Sequence, residues 1–209
     1  MNKIQLLLDN PNSWMVPYAR EFQKKLLENG HDTSILHTHD VEEGDVLILL
    51  SCEKKFLQLN KNKYNLIVHE SDLPKGKGWS PLTHQILSGK NKIPITLFEA
   101  DHTFDGGNIY YKDIIELNGT ELIDEIRKKQ AEMTFNLINR FLEENNIVGK
   151  KQTGYETYYK KRTPKDSKLD INDSIINQFN LLRVVDNDRY PAYFEHQGYK
   201  YIIKVYRDE

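Results

Sequence analysis

Leu66-Ile67-Val68-His69-Glu70-Ser71-Asp72-Leu73-Pro74-Lys75-Gly76-Lys77-Gly78-Trp79-Ser80-Pro81 passes from three aliphatic residues, through a polar loop bearing two glycines, to a serine and a proline. The aliphatic triplet reads as a buried strand, and Ser80 to Leu87 as a helix with proline in its first turn. A strand, a loop and a helix in that order also open the chain. Ile4 to Leu8 is an apolar run ended by Asp9-Asn10-Pro11-Asn12-Ser13, and from Trp14 to Leu27 apolar positions recur at helical spacing until Gly30 stops them. Asp32 to Leu36 and Asp45 to Leu50 then read as strands and Lys54 to Leu59 as a short helix. Pro94 to Phe98 and Ile109 to Ile114 read as further strands, and Glu121 to Glu144 as a long amphipathic helix. Strands alternating with helices to about residue 145 imply an α/β fold with a doubly wound, largely parallel sheet.

The composition changes at Gly149-Lys150-Lys151-Gln152-Thr153-Gly154, a polar connector followed by the tyrosine-rich stretch 155–159. We place a boundary there, dividing the chain into a body over 1–148 and a small C-terminal α+β appendage over 149–209. In the appendage Asn172 to Leu182 resembles a short helix, and Tyr193 to Glu195 and Tyr199 to Val205 flank a hairpin turn at His196-Gln197-Gly198. An exposed hairpin edge would offer a pairing surface for a second copy, making a homodimer conceivable.

The 209 residues hold 31 acidic and 29 basic side chains, a net charge of -2, so no overall positive field gathers nucleic acid or an anionic membrane. The single cysteine, Cys52, excludes an intrachain disulfide and a multi-cysteine zinc site. The longest apolar run, Val46 to Leu50, is too short to span a bilayer, and the N-terminus lacks a signal-peptide layout, so a cytoplasmic protein is expected. The scattered histidines show no ligand pair at a metal spacing, and no metal is expected.

In open α/β sheets ligands bind beyond the carboxyl ends of the strands, which makes His69 and the loop after it the first candidates. Alone, the histidine could equally cap a strand. The second candidate is Asp105, beside Gly106-Gly107 between two expected strands; alone, Asp-Gly-Gly is ordinary turn chemistry. Its interest lies in pairing with His69.

Together these residues resemble the 10-formyltetrahydrofolate-dependent formyltransferases. That family shows His-x-Ser-x-Leu-Pro, then Gly, then Pro leading into a helix, matched here by His69 to Pro74, Gly78 and Pro81. A strand with an early threonine follows, matched by Thr96, and then Asp-x-Gly, matched by Asp105-Gly106-Gly107. Arg162-Thr163-Pro164-Lys165-Asp166-Ser167 and Leu182-Arg183-Val184-Val185, leading to Tyr190-Pro191-Ala192-Tyr193-Phe194, resemble segments of the sugar- and tRNA-modifying members. One departure stands out: family members usually carry Asn two residues before the histidine, where this chain has Ile67. Asn65 lies four residues before His69, roughly 13 Å along a strand, too far to replace it.

The resemblance implies a Rossmann-like body that moves a formyl group from 10-formyltetrahydrofolate to a primary amine. His69 would handle the oxyanion or relay the proton, and Asp105 would orient it. The pterin would lie along Leu97, Phe98, Glu99, Ala100, Asp101 and Phe104, although Phe98 and Phe104 read equally as core. Ser13, Lys75, Lys77 and Trp79 are candidates for holding the acceptor, as is Arg183, which is equally open to a structural salt bridge.

The loop after the first strand lacks the glycines expected of a glycinamide ribonucleotide enzyme, and the appendage is small for a tRNA enzyme. A nucleotide-linked amino sugar fits best, and His69 to Trp79 resembles the formyltransferases of pseudaminic acid pathways, which act on a UDP-linked 4-amino-4,6-dideoxy sugar. The alternatives are an enzyme like methionyl-tRNA formyltransferase acting on another amine, or a catalytically weak homologue that binds folate or a nucleotide sugar.

Overall fold

The computed structural model describes residues 2–144 and 147–208. Six strands form the central sheet in the order β2-β1-β3-β4-β6-β7: β1 (Lys3–Leu7), β2 (Asp32–Leu36), β3 (Gly44–Leu49), β4 (Asn62–His69), β6 (Lys92–Glu99) and β7 (Ile109–Glu116). The first four run parallel. Strand β6 reverses, pairing antiparallel with both β4 and β7, and the short 100–108 connection can join β6 and β7 only as antiparallel neighbours. From β1 the chain moves outward to β2 and then crosses to β3 on the other side, opening a crevice at the carboxyl ends of β1 and β3. Strand β4 is longer than its aliphatic triplet suggests, because Asn62 to Asn65 continue the ladder on β3 despite their polar side chains.

The two faces of the sheet are clothed differently. Alternate residues Ile4, Leu6, Val46, Ile48 and Leu66 pack against α1 (Val16–Glu28), α2 (Pro81–Leu87) and α3 (Ile123–Glu143) through Phe22, Ile86, Phe135 and Ile138. Leu7, Leu47 and Leu49 face the other way and are covered by Val41 and Phe56. The expected Lys54–Leu59 helix is absent there; 54–58 is irregular and a single 3-10 turn occupies Leu59–Lys61. The amide of Lys54, with that of Glu53, is drawn onto the Asp9 carboxylate, which starts this stretch as a loop.

After α3 the chain returns to the body. Ile109 and Lys150 exchange hydrogen bonds of 2.8 Å, and β8 (Tyr158–Tyr159) adds in parallel to β5 (Lys77–Gly78). The expected Asn172–Leu182 helix is only α4 (Phe179–Val184). Upstream of it, Asp170, Asp173 and Ser174 accept nearby main-chain amides, and Ile171, Ile175 and Ile176 are exposed, so no buried stripe holds a helix. The hairpin of β9 (Ala192–His196) and β10 (Tyr199–Ile203) turns at Gln197-Gly198, both at positive φ as a tight two-residue turn requires. No described helix is long and apolar enough to cross a membrane.

Candidate active site

His69 is the last residue of β4 and is paired with Thr96 on β6. Thr96 is fully buried, and its hydroxyl donates to the Ser71 carbonyl at 2.7 Å, while Gln85 of α2 donates to the Glu70 carbonyl at 2.6 Å. The loop is thus tied down where it leaves the strand. Its far end is held by the C-terminal segment: Gly76 N–H donates to Thr157 Oγ1 at 2.7 Å and Trp79 N–H to the Tyr159 carbonyl at 3.2 Å. His69 Nε2 lies 2.9 Å from the Gly76 carbonyl; since a carbonyl only accepts, the proton belongs on Nε2.

Asp105 sits in the 100–108 connection at a φ of 49°, in the left-handed region. Asp101 shapes the turn by accepting Thr103 N–H at 2.8 Å and the Thr103 hydroxyl at 2.6 Å. Two glycines then let it close: a Cβ at Gly107 would lie 1.7 Å from the Glu99 carbonyl oxygen, and one at Gly106 1.9 Å from Thr103 Oγ1. Gln152 locks the result, its Nε2 donating to the carbonyls of Asp105 and Gly107 at 2.9 Å each. Asp105 Oδ2 accepts Gly78 N–H at 2.9 Å and stands 3.9 Å from His69 Nε2. The two side chains are buried together, but the carboxylate is anchored by Gly78 rather than by a direct hydrogen bond to the imidazole.

Both groups open onto one cleft of about 530 Å³. Its apolar wall is made by Leu49, Ile67, Phe98 and Ala100, at the ends of β3, β4 and β6. Its charged and aromatic lining includes Trp79, Arg127, Lys161, Arg162, Arg189 and Tyr190. Cys52 lies on the apolar side, where burial pushes its thiol up to about 12, which makes it a packing residue rather than a nucleophile.

Phe98, Ala100, Asp101 and Phe104 line this cleft as the sequence suggests. Leu97 does not; it points into the core. Nor does Glu99, whose carboxylate accepts Asn65 N–H at 2.6 Å and Tyr110 OH at 2.8 Å behind the sheet edge. Among the acceptor candidates only Trp79 lines the cleft, with Lys161 Nζ 4.1 Å above its ring. Ser13 Oγ turns to Met15 N–H, Lys75 is exposed on the outer loop, and Lys77 is buried against Glu156 at 2.7 Å. Arg183 resolves to its structural alternative. It is fully buried, donating to the Glu121 carbonyl and carboxylate and to Asn91 and Asn180, away from the cleft.

The residues that sequence reasoning missed are Glu70, Arg127, Gln130, Lys161, Arg162 and Arg189. Arg162 lies within the quoted Arg162 to Ser167 segment, but nothing in the sequence marks it as lining the cleft that holds His69. Its Nη2 donates to the Asp166 carbonyl at 2.9 Å, and Arg127 holds Asp186 at 2.7 Å with its guanidinium 5.5 Å from the Trp14 ring. Among the described residues no group of three or more His, Cys, Asp or Glu side chains could hold a metal ion.

Comparison with known proteins bears on what this arrangement belongs to. The chain is 28% identical over 171 residues to a methionyl-tRNA formyltransferase of Sulfurihydrogenibium, an alignment covering 78% of this chain and 54% of that protein. It spans about half the length of the curated relatives it matches. Its fold superimposes on a methionyl-tRNA formyltransferase from Clostridium thermocellum with a TM-score of 0.83 at 22% identity, covering 100% of this chain and 94% of the other. It also superimposes on a Mycobacterium tuberculosis protein described as a likely sugar N-formyltransferase, with a TM-score of 0.75 at 18% identity, covering 100% and 99%. At these identities the structural likeness is one of fold. The formyl transferase family model matches residues 17–142, which carry His69, the loop after it and Asp105 and make up more than half of the sequence, and the chain therefore belongs to that family.

Proposed function

We propose that this chain is an N-formyltransferase that moves a formyl group from 10-formyltetrahydrofolate to the primary amine of a nucleotide-linked sugar. The acceptor we favour is a UDP-linked 4-amino-4,6-dideoxy sugar of the pseudaminic acid type. The observation that carries the reading is one cleft that gathers three chemistries: an apolar patch, the His69 and Asp105 pair, and a set of guanidinium, ammonium and aromatic groups.

The apolar patch suits the formyl donor. Ile67 and Phe98, opposite each other in the sheet, offer faces for a pterin ring with Leu49 and Ala100, and the loops at 51–54 and 101–104 supply main-chain groups for its polar edge. When bound, the donor supplies an electrophilic carbon whose oxygen gains negative charge as an amine adds. His69 Nε2–H can leave the Gly76 carbonyl for that oxygen, and such positioned acid–base chemistry is worth about 100- to 10,000-fold. Asp105, within ionic reach at 3.9 Å, stabilises the imidazolium if the ring takes up a proton. On the acceptor side, Lys161, Arg162 and Arg189 are suited to a diphosphate, and Trp79 and Tyr190 to a base or sugar ring.

A tRNA acceptor is less well served by a chain of net charge -2. The test is formyl transfer from 10-formyltetrahydrofolate to UDP- and dTDP-linked amino sugars and to methionyl-tRNA, following tetrahydrofolate release. Turnover of an amino sugar, abolished in His69→Ala, is the expected result. Turnover of methionyl-tRNA alone overturns the acceptor, and folate binding without turnover on any amine marks a binding homologue.

A further inference from the structure

Glu70 follows His69 directly, lines the same cleft, and has no part in the chemistry above. Its Oε1 accepts Gln130 Nε2–H of α3 at 2.6 Å, and its own carbonyl is held by Gln85. No lysine or arginine of the described residues forms an ion pair with it. The nearby cation on α3, Arg127, is taken up by Asp186. Burial pushes the carboxyl up, against the opposing effects of His69 and the Gln130 hydrogen bond, while Asp105 adds to the rise. A half-buried carboxyl with one neutral hydrogen-bond partner and no lysine or arginine paired to it is costly for the folded chain, and a cationic ligand would offset that cost.

We propose that Glu70 receives the acceptor amine: its free carboxylate oxygen binds the substrate's ammonium group and takes its surplus proton before nitrogen attacks. The inference rests on the reading of the chain as an N-formyltransferase. A primary amine enters at neutral pH as R–NH3+, which has no lone pair to attack with. In the step, one N–H bond breaks, an O–H bond forms on Glu70, and the electron pair stays on nitrogen to attack the formyl carbon. After attack the bond from the formyl carbon to the folate nitrogen breaks and that nitrogen takes the amine's second proton, while Glu70 returns the first to solvent after the product leaves, so formyl transfer from an ammonium releases one proton overall. A carboxyl raised above its ordinary range is better matched to this exchange than an unperturbed one. Gln130 keeps Oε1 fixed and leaves the other oxygen without a hydrogen-bond partner among the described residues. The charged groups that act on it are His69 on β4 and Asp105 from the 100–108 turn; Arg127, held by Asp186, and Arg189 from the C-terminal segment line the same cleft.

Glu70→Gln keeps the size and the Gln130 contact and removes the charge. We expect it to lower kcat/KM for the UDP-linked 4-amino-4,6-dideoxy sugar by about 10- to 100-fold at pH 7, with KM for 10-formyltetrahydrofolate unchanged. The deficit should shrink to roughly 3-fold or less near pH 9.5, where the amine is largely neutral without help. In calorimetry the wild type should prefer this sugar over its 4-hydroxy counterpart at neutral pH, and Glu70→Gln should erase the preference. A deficit of the same size at every pH, or a preference that survives the substitution, overturns the role of Glu70 while leaving the formyltransferase reading intact. A wild type without turnover on any amine and without the amine preference overturns both.

Discussion

The two walls of the cleft are made in different ways. Leu49, Ile67, Phe98 and Ala100 stand at or just past the ends of neighbouring strands, and each strand is fixed by its ladder. Trp79, Arg127, Lys161, Arg162 and Arg189 come from a loop, a helix and the C-terminal segment, brought together largely by side-chain contacts. One wall follows from the sheet; the other depends on single residues far apart in the sequence. Substitutions in the first should therefore show in the formyl donor's KM, those in the second in the acceptor's, and only those between the walls should remove turnover altogether. The largest effect is expected at the centre, where His69→Ala or Asp105→Ala lowers kcat/KM by about 100- to 10,000-fold while circular dichroism stays unchanged. Gly107→Ala tests the same point through the backbone: its Cβ cannot coexist with the Glu99 carbonyl, so the Asp105 turn must move and activity should fall with it.

The wall that belongs to the sheet is also the one that could be read in advance. Apolar runs ending at Leu8, Leu50 and Val68 announced parallel strands, and a histidine directly after such a run is where an open sheet places ligands. Asp105 is legible only through the family's Asp-x-Gly, since its two glycines alone read as an ordinary turn, which they do close. Glu99 and Leu97 were misjudged because a strand alternates its faces, so a stretch of consecutive residues cannot all look into one cleft. The second wall left no such trace. Arg162 and Arg183 are the same residue type in the same segment, yet one lines the cleft and the other is sealed on Glu121, a difference set by tertiary contacts that no periodicity encodes.

That contrast gives the next largest effect, on stability. Arg183→Leu takes the buried guanidinium from the Glu121 carboxylate, which keeps Lys129 and the amides of Asn118 and Gly119, and losing the charge-assisted hydrogen bond costs about 1.5–3 kcal/mol, readable as a lower urea midpoint. Burial alone would raise the Glu121 carboxyl. Lys129 and the amides of Asn118 and Gly119 overcome it and hold it at about 2, below its ordinary 4.5. The folded state thus binds this proton less readily than the unfolded chain. Its stabilisation, about 3 kcal/mol, is complete above pH 4.5 and disappears as pH falls toward 2. Denaturation from pH 6 to pH 2 should show this slope in the wild type and a shallower one in Glu121→Gln.

On the open wall, Arg162→Ala should raise KM for the nucleotide sugar about 10-fold through loss of a charge-assisted contact, and leave KM for 10-formyltetrahydrofolate as it was. Equal changes in both constants would mean that the two walls are not independent.

The smallest effect sharpens the comparison most, because Gln152 belongs to the C-terminal segment yet acts on the turn beside the strand ends. Its amide bridges the carbonyls on either side of Gly106, which hold Asp105 in the left-handed region without touching the carboxylate itself. Each such hydrogen bond contributes about 1 kcal/mol net, so Gln152→Ala should lower kcat about 3- to 10-fold. Both KM values should stay within roughly 2-fold, since the residue lines neither wall. Gln152→Glu, which replaces the donor with an acceptor facing two carbonyls, should be worse than Gln152→Ala. If Gln152→Ala instead moves the acceptor's KM with kcat unchanged, the segment serves the charged wall alone. The Asp105 turn would then owe its shape to Gly106, Gly107 and Asp101 without help from beyond α3.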